Sequence, residues 1–387
     1  MPFYVKQGAL PEKRHVVFKP RGGHTYEELV SRQGFSDIYS NVYHLYPPTT
    51  VTAVGETEAL PVIPLADAVH RNRHLKTFAL SAGGDWVRGR RVLAYNADVT
   101  VATVEPAEST DWFYRNARAD ELVFVHHGGG VLETMFGDLT VRSGDYVVIP
   151  RGVIHRWRFD DGRVKLLITE TAGPVETPKH FRNQWGQLLE HAPYCERDLR
   201  TPVLNPPVDE RGEFTLKVKL GDKLQTVVLG HHPFDLIGWD GFYYPWAFNI
   251  EDFMPVVGKV HLPPPVHVTF TGPGFVICSF VPRLFDFHQD AIPIPYAHSN
   301  VDSDEILYYV AGNFMSRKGI ESESLTLHPM GYPHGPQPGL LEPSLGVKET
   351  VELAVMIDTF APLTVAADAG PADDPDYPLS WATGDDQ

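Results

Sequence analysis

Apolar and polar residues alternate in short runs along most of this chain, with the period of half-buried strands rather than of helices. The clearest runs lie at residues 91–95, 99–104, 121–125, 146–149, 214–218, 226–229, 275–277, 306–310 and 353–357. With 34 Pro and 33 Gly in 387 residues the chain turns often, which favours many short strands over long helices. Helical signals are sparse. Thr25 followed by Glu28 is a helix-start pattern, and residues 183–191 form a short helical patch. Residues 172–212 are rich in proline and charge and read as a bridge. The pattern therefore predicts an all-β dominated chain with a few short helices. Its first half is expected over 1–171, a bridge over 172–212, a second half over 213–364 and an acidic tail over 365–387. That tail is either disordered or laid over a surface.

The two halves share a template. Asp120-Glu121 is followed after six residues by Gly128, and Asp304-Glu305 after six residues by Gly312. Downstream, residues 150–155 and 329–334 both read P-x-G-x-x-H, ending on His155 and His334. Matching pieces in the same order at nearly the same offset indicate duplication of one unit. The physical reading is a small antiparallel barrel in which a hairpin brings the histidine back beside the glutamate.

These segments resemble the two motifs of the cupin superfamily. The resemblance implies two jelly-roll-like barrels with metal ligands pointing inward. It implies an H-x-H arrangement upstream of each glutamate, which here becomes His298-Ser-Asn300 in the second half and Tyr114-Arg-Asn116 in the first. The second half then offers His298, Glu305 and His334. Two imidazoles and one carboxylate leave coordination positions open, the donor set of non-haem iron(II) oxygenases. Spacing alone does not choose iron over manganese, nickel or zinc. The plainer alternative is that these are ordinary polar turn and surface residues. In the first half, Glu121 and His155 with Tyr114 read as a structural remnant or a weaker second site. His126-His127 is a competing ligand source there, and on a strand the two side chains would point to opposite faces.

Further segments resemble the homogentisate 1,2-dioxygenase family: residues 232–239, 280–283, 296–300, 305–309, 327–336 and, early in the chain, 39–44. The resemblance is dense from about residue 230 to 360 and thinner before. It implies an iron(II) enzyme of tyrosine and phenylalanine catabolism that cleaves homogentisate with dioxygen to maleylacetoacetate. It carries the metal triad onto His298, Glu305 and His334. It places a catalytic base at His261 and substrate-binding residues at Tyr296 and His328. His267 is a rival for the base. An imidazole with an ordinary pKa near 6.5 can take and return a proton at neutral pH. Arg283 could grip a substrate carboxylate or sit in a surface ion pair. The chain departs from the family pattern at Val260, where an aspartate precedes the base, and by one extra residue between His298 and Glu305.

A formal charge of −16 without any basic run argues against nucleic acid or an anionic membrane as partner. The partners expected are a small aromatic substrate, dioxygen and further copies of the chain, since the resemblance implies a trimer or hexamer. Two cysteines, Cys195 and Cys278, cannot build a disulfide framework. With no secretory-type leader or apolar span at the N-terminus, a cytoplasmic location is expected. Gentisate or another hydroquinone remains an alternative substrate. A metal-dependent isomerase or a storage-type binding protein on the same barrel remains an alternative class.

Overall fold

The computed structural model describes residues 2–66 and 68–382. Strands dominate, and each alternating run noted above lies within one. In the first half an eight-stranded sheet is ordered Leu199–Arg200, Trp246–Asn249, Asp145–Ile149, Asp120–His127, Lys165–Thr171, Val99–Val104, Arg91–Tyr95, Thr364–Val365. A seven-stranded sheet accompanies it, ordered Gly137–Arg142, Gly129–Thr134, His155–Phe159, Phe113–Asn116, Arg211–Lys219, Lys223–His231, Val51–Ala59. The second half is built on a six-stranded sheet, ordered Val268–Gly272, Phe275–Phe280, Leu353–Thr359, Asp304–Ala311, Ser324–His328, Arg73–Lys76. The ribbon of His298–Ser299 with Pro333–His334 accompanies that sheet.

Strand Asp120–His127 is buried along nearly its whole length, which accounts for its unbroken apolar run Leu122-Val-Phe-Val125. One face meets the first-half core. The central sheet also packs against the second half, where Tyr146 meets Phe270 and shares a 2.9 Å hydrogen bond with Ser279. One continuous apolar core runs through both halves.

The duplicated template is visible as matched geometry. Gly128 and Gly312 turn with φ of 82° and 98°, and Gly152 and Gly331 with 81° and 80°. These left-handed conformations are ones that glycine adopts without a Cβ clash. Strands also cross the divisions expected at residues 171 and 213. Arg211–Lys219 and Lys223–His231 join the first-half sheet, while Arg73–Lys76 forms an edge of the second.

Two helix expectations fail. Residues 26–31 form a strand paired with Tyr39–His44, and the Thr25 hydroxyl donates to the Phe18 carbonyl instead of capping. Cross-strand pairing outweighs a weak local signal there. Over 183–191 the Asn183 side chain accepts from the Trp185 and Gln187 amides, and Gly186 turns left-handed, so the segment closes as a turn. As far as it is described, the tail packs across both halves, on strand Arg91–Tyr95 of the first and on the Arg73–Lys76 edge of the second. Ala369, Ala372 and Tyr377 are buried, and Asp373 pairs with Arg71 and Arg73. Residues 383–387 lie outside the described residues. No helix among the described residues is long and apolar enough to cross a membrane.

Candidate metal centre

The ribbon sets His298 directly opposite His334, and Glu305 opens the neighbouring strand. One ligand-type atom from each of the three lies within 4.8 Å of the others. The Glu305 Oε2 atom stands 3.5 Å from His298 Nε2 and 3.4 Å from His334 Nε2. In both histidines Nδ1 faces the carbonyl two residues back, Tyr296 at 3.4 Å and Tyr332 at 3.2 Å. A proton held on Nδ1 leaves the Nε2 lone pairs aimed at the common centre. Glu305 and His334 are buried, whereas the His298 side chain is 40% exposed and marks the open side.

The carboxylate is held from behind. His328 Nδ1 lies 2.8 Å from Glu305 Oε1, and its ring stacks on that of His334 at 4.4 Å. His328 is fully buried, so none of its surface reaches the opening. Its place is behind the carboxylate that it orients. Asn300, where the H-x-H pattern would put a histidine, turns Nδ2 toward Glu305 Oε2 at 3.5 Å. Burial alone would raise Glu305, but the three histidines hold it well below the usual carboxylate range. Burial pulls His328 down to about 4 despite its bond to Glu305. Across the sheet from Glu305 stands Asp358, missed in the sequence; burial and the Glu305 charge push it up to about 8.

His261 is exposed at the mouth. Its ring is 5.3 Å from that of Tyr296, which in turn is 6.4 Å from His298. Its Nδ1 faces Asp286 Oδ2 at 3.5 Å. A carboxylate from a different segment thus stands beside His261 even though Val260 precedes it. His267 is more enclosed, its Nδ1 has no partner, and burial followed by the charge of Arg283 takes it down to about 3. Arg283 lies in the field of Glu352 and Asp286, yet its guanidinium has no hydrogen bond or ion pair among the described residues. The surface ion pair considered for it is absent there.

In the first half, Glu121 Oε1 accepts from the Tyr114 hydroxyl at 2.8 Å, Arg90 at 3.0 Å and Asn116 at 3.2 Å. His126 and His127 join neither Glu121 nor opposite faces. A bulge opposite Lys165 and Leu166 swings both rings to one side, 4.3 Å apart, next to Glu323. Those three also form a ligand-type cluster. The Glu323 carboxylate there is already engaged by Arg163 at 2.6 Å and by Lys165 at 3.6 Å.

Residues 55–250 match the family model described as homogentisate 1,2-dioxygenase N-terminal. The chain belongs to the homogentisate 1,2-dioxygenase family. That match spans the part of the chain where the motif resemblance to the family is thinner. A homogentisate 1,2-dioxygenase of Emericella nidulans is 29% identical over 362 residues, 85% of this chain and 79% of that enzyme. A Saccharolobus solfataricus protein named "Putative dioxygenase" is 42% identical over 386 residues, 99% of this chain and its own full length. Among solved structures, a cupin 2 conserved barrel domain protein from Leptotrichia buccalis aligns at 8% identity and a TM-score of 0.34, over 76% of this chain and 99% of that one.

Proposed function

We propose that this protein is an iron(II)-dependent dioxygenase that opens the ring of homogentisate to maleylacetoacetate. The observation that carries the proposal is the convergence of His298, Glu305 and His334 on one point with one side left open. Two imidazole nitrogens and one carboxylate oxygen fit iron(II) and leave positions for a bidentate substrate and dioxygen. When bound, the iron would couple oxidation of the ring to reduction of dioxygen.

The chain's own groups do the rest. His261 Nε2 would take the hydroxyl proton of the substrate, with Asp286 holding Nδ1. Tyr296, between His261 and His298, would pack against the ring. The unpaired guanidinium of Arg283 would receive the carboxylate. His328 keeps Glu305 in a single orientation.

The test is anaerobic loading with iron(II), followed by oxygen uptake with homogentisate and, in parallel, gentisate. Uptake with homogentisate that disappears in Glu305→Ala is the expected result. Uptake with gentisate alone would move the substrate. Iron-loaded protein that consumes no oxygen with either acid would overturn the proposal, and turnover without oxygen would point to isomerase chemistry.

A further inference from the structure

The two barrel centres correspond residue by residue through their strand pairings. Tyr114 faces His155 across its ladder as His298 faces His334. Glu121 faces Glu170 as Glu305 faces Asp358. Asn116 and Asn300, each two residues after Tyr114 or His298, both turn Nδ2 toward the central glutamate. His155 Nδ1 faces the Val153 carbonyl at 3.0 Å, the same two-residue step that orients His334. The first centre therefore keeps a carboxylate pair, an amide and an oriented imidazole.

The difference lies in cations. In the first centre Arg90 Nη1 sits 3.0 Å from Glu121 and 2.5 Å from Glu170, and Lys219 Nζ is 2.7 Å from Glu170. The guanidinium lies 5.0 Å above the Trp86 ring, and its side chain is 5% exposed. In the second centre no Lys or Arg among the described residues pairs with Glu305 or Asp358. Two buried carboxylates side by side need a compensating positive charge. The fit of Arg90 is one of charge rather than of ligand geometry. His155 Nε2, the counterpart of the His334 nitrogen that faces the second centre, is buried and left without a partner.

We propose that Arg90 occupies, in the first barrel, the seat that the second barrel keeps open for a metal ion. The chain then carries two copies of one cation site, one of them plugged by its own side chain. The naming of the second seat rests on the proposed function. The plugged seat takes a divalent transition metal once Arg90 is removed and Tyr114 is restored to a ligand.

The experiment counts cobalt(II) equivalents per full-length chain by equilibrium dialysis and metal analysis. Arg90→Ala combined with Tyr114→His should bind one equivalent more than the parent, and adding Glu121→Gln should remove that gain. Tyr114→His alone, with Arg90 in place, should show no gain. A folded double variant without the extra equivalent, or a gain with Arg90 present, overturns the proposal. The count is a difference from the parent, so it reads the first barrel even if the second binds nothing. If the double variant stays insoluble with and without cobalt, the decision passes to melting temperatures. Arg90→Lys keeps the charge and should melt above the uncharged Arg90→Gln; equal or lower melting counts against the proposal.

Discussion

His328 illustrates how one side chain can matter to a metal without touching it. Its bond to Glu305 Oε1 leaves Oε2 as the atom presented to His298 and His334. Removing such a partner weakens metal binding by roughly 10–100-fold. His328→Ala is therefore expected to lose affinity in that range in a competition titration, with the fold retained. His261→Gln should instead keep the metal and lower kcat, by about 10²–10⁴-fold if it is the general base. Asp286→Asn should lower kcat less and shift the pH–rate profile, a change that a purely structural aspartate would not produce. The triad could be read in the sequence because its members sit in two spaced motifs whose spacing is set locally by hairpins. Asp358 and Asp286 could not, because their place depends on which strand or loop folds against Glu305 and His261. His328 carried a family motif, but its burial behind the carboxylate follows only from the pairing of Glu305 with His328.

At the scale of elements, a four-stranded sheet ordered Val5–Gly8, Leu236–Gly241, Tyr39–His44, Tyr26–Ser31 is clamped by His44. Its Nδ1 lies 2.6 Å from Asp235 and its Nε2 3.0 Å from Glu28, so one ring ties strand Tyr39–His44 to strand Tyr26–Ser31 and to the segment preceding Leu236–Gly241. Burial alone would lower its pKa, but the two carboxylates hold it up at about 9. The folded value exceeds the unfolded one near 6.5, so the stabilisation is complete below pH 6.5 and is lost as pH rises through about 9. Its size is at most on the order of 3 kcal/mol. Melting temperature should fall between pH 6.5 and 9, and His44→Gln should flatten that slope in calorimetry. A slope of the same size in the variant would remove His44 from the account. The strand Tyr26–Ser31 carries a helix-start pattern in its sequence for a related reason. Its partners lie in Tyr39–His44, and nothing in a window of six residues reports them.

Across the whole molecule the two halves are interleaved. The period-two runs revealed the strands, but the crossing of Arg211–Lys219 and Arg73–Lys76 between halves depends on pairings far apart in sequence. The tail is part of this weave. Tyr377 is buried against His74, and its hydroxyl lies 3.5 Å from His328 Nε2. Truncating a buried large aromatic to alanine costs about 3–5 kcal/mol. Tyr377→Ala should lower the denaturation midpoint accordingly and weaken metal binding through His328, measured by urea unfolding and metal titration.

Strand Arg73–Lys76 also sets a timetable for synthesis. His74 and its partner Ser324 are 250 residues apart. At about 5–20 residues per second the early strand waits roughly 10–50 s for the ladder it completes. Throughout that interval it is a nascent edge open to any neighbouring chain. Its basic ends, Arg73 and Lys76, are the kind of charge that discourages such capture. A second barrel expressed from its own stretch of sequence would lack this border and leave Ser324–His328 as the raw edge.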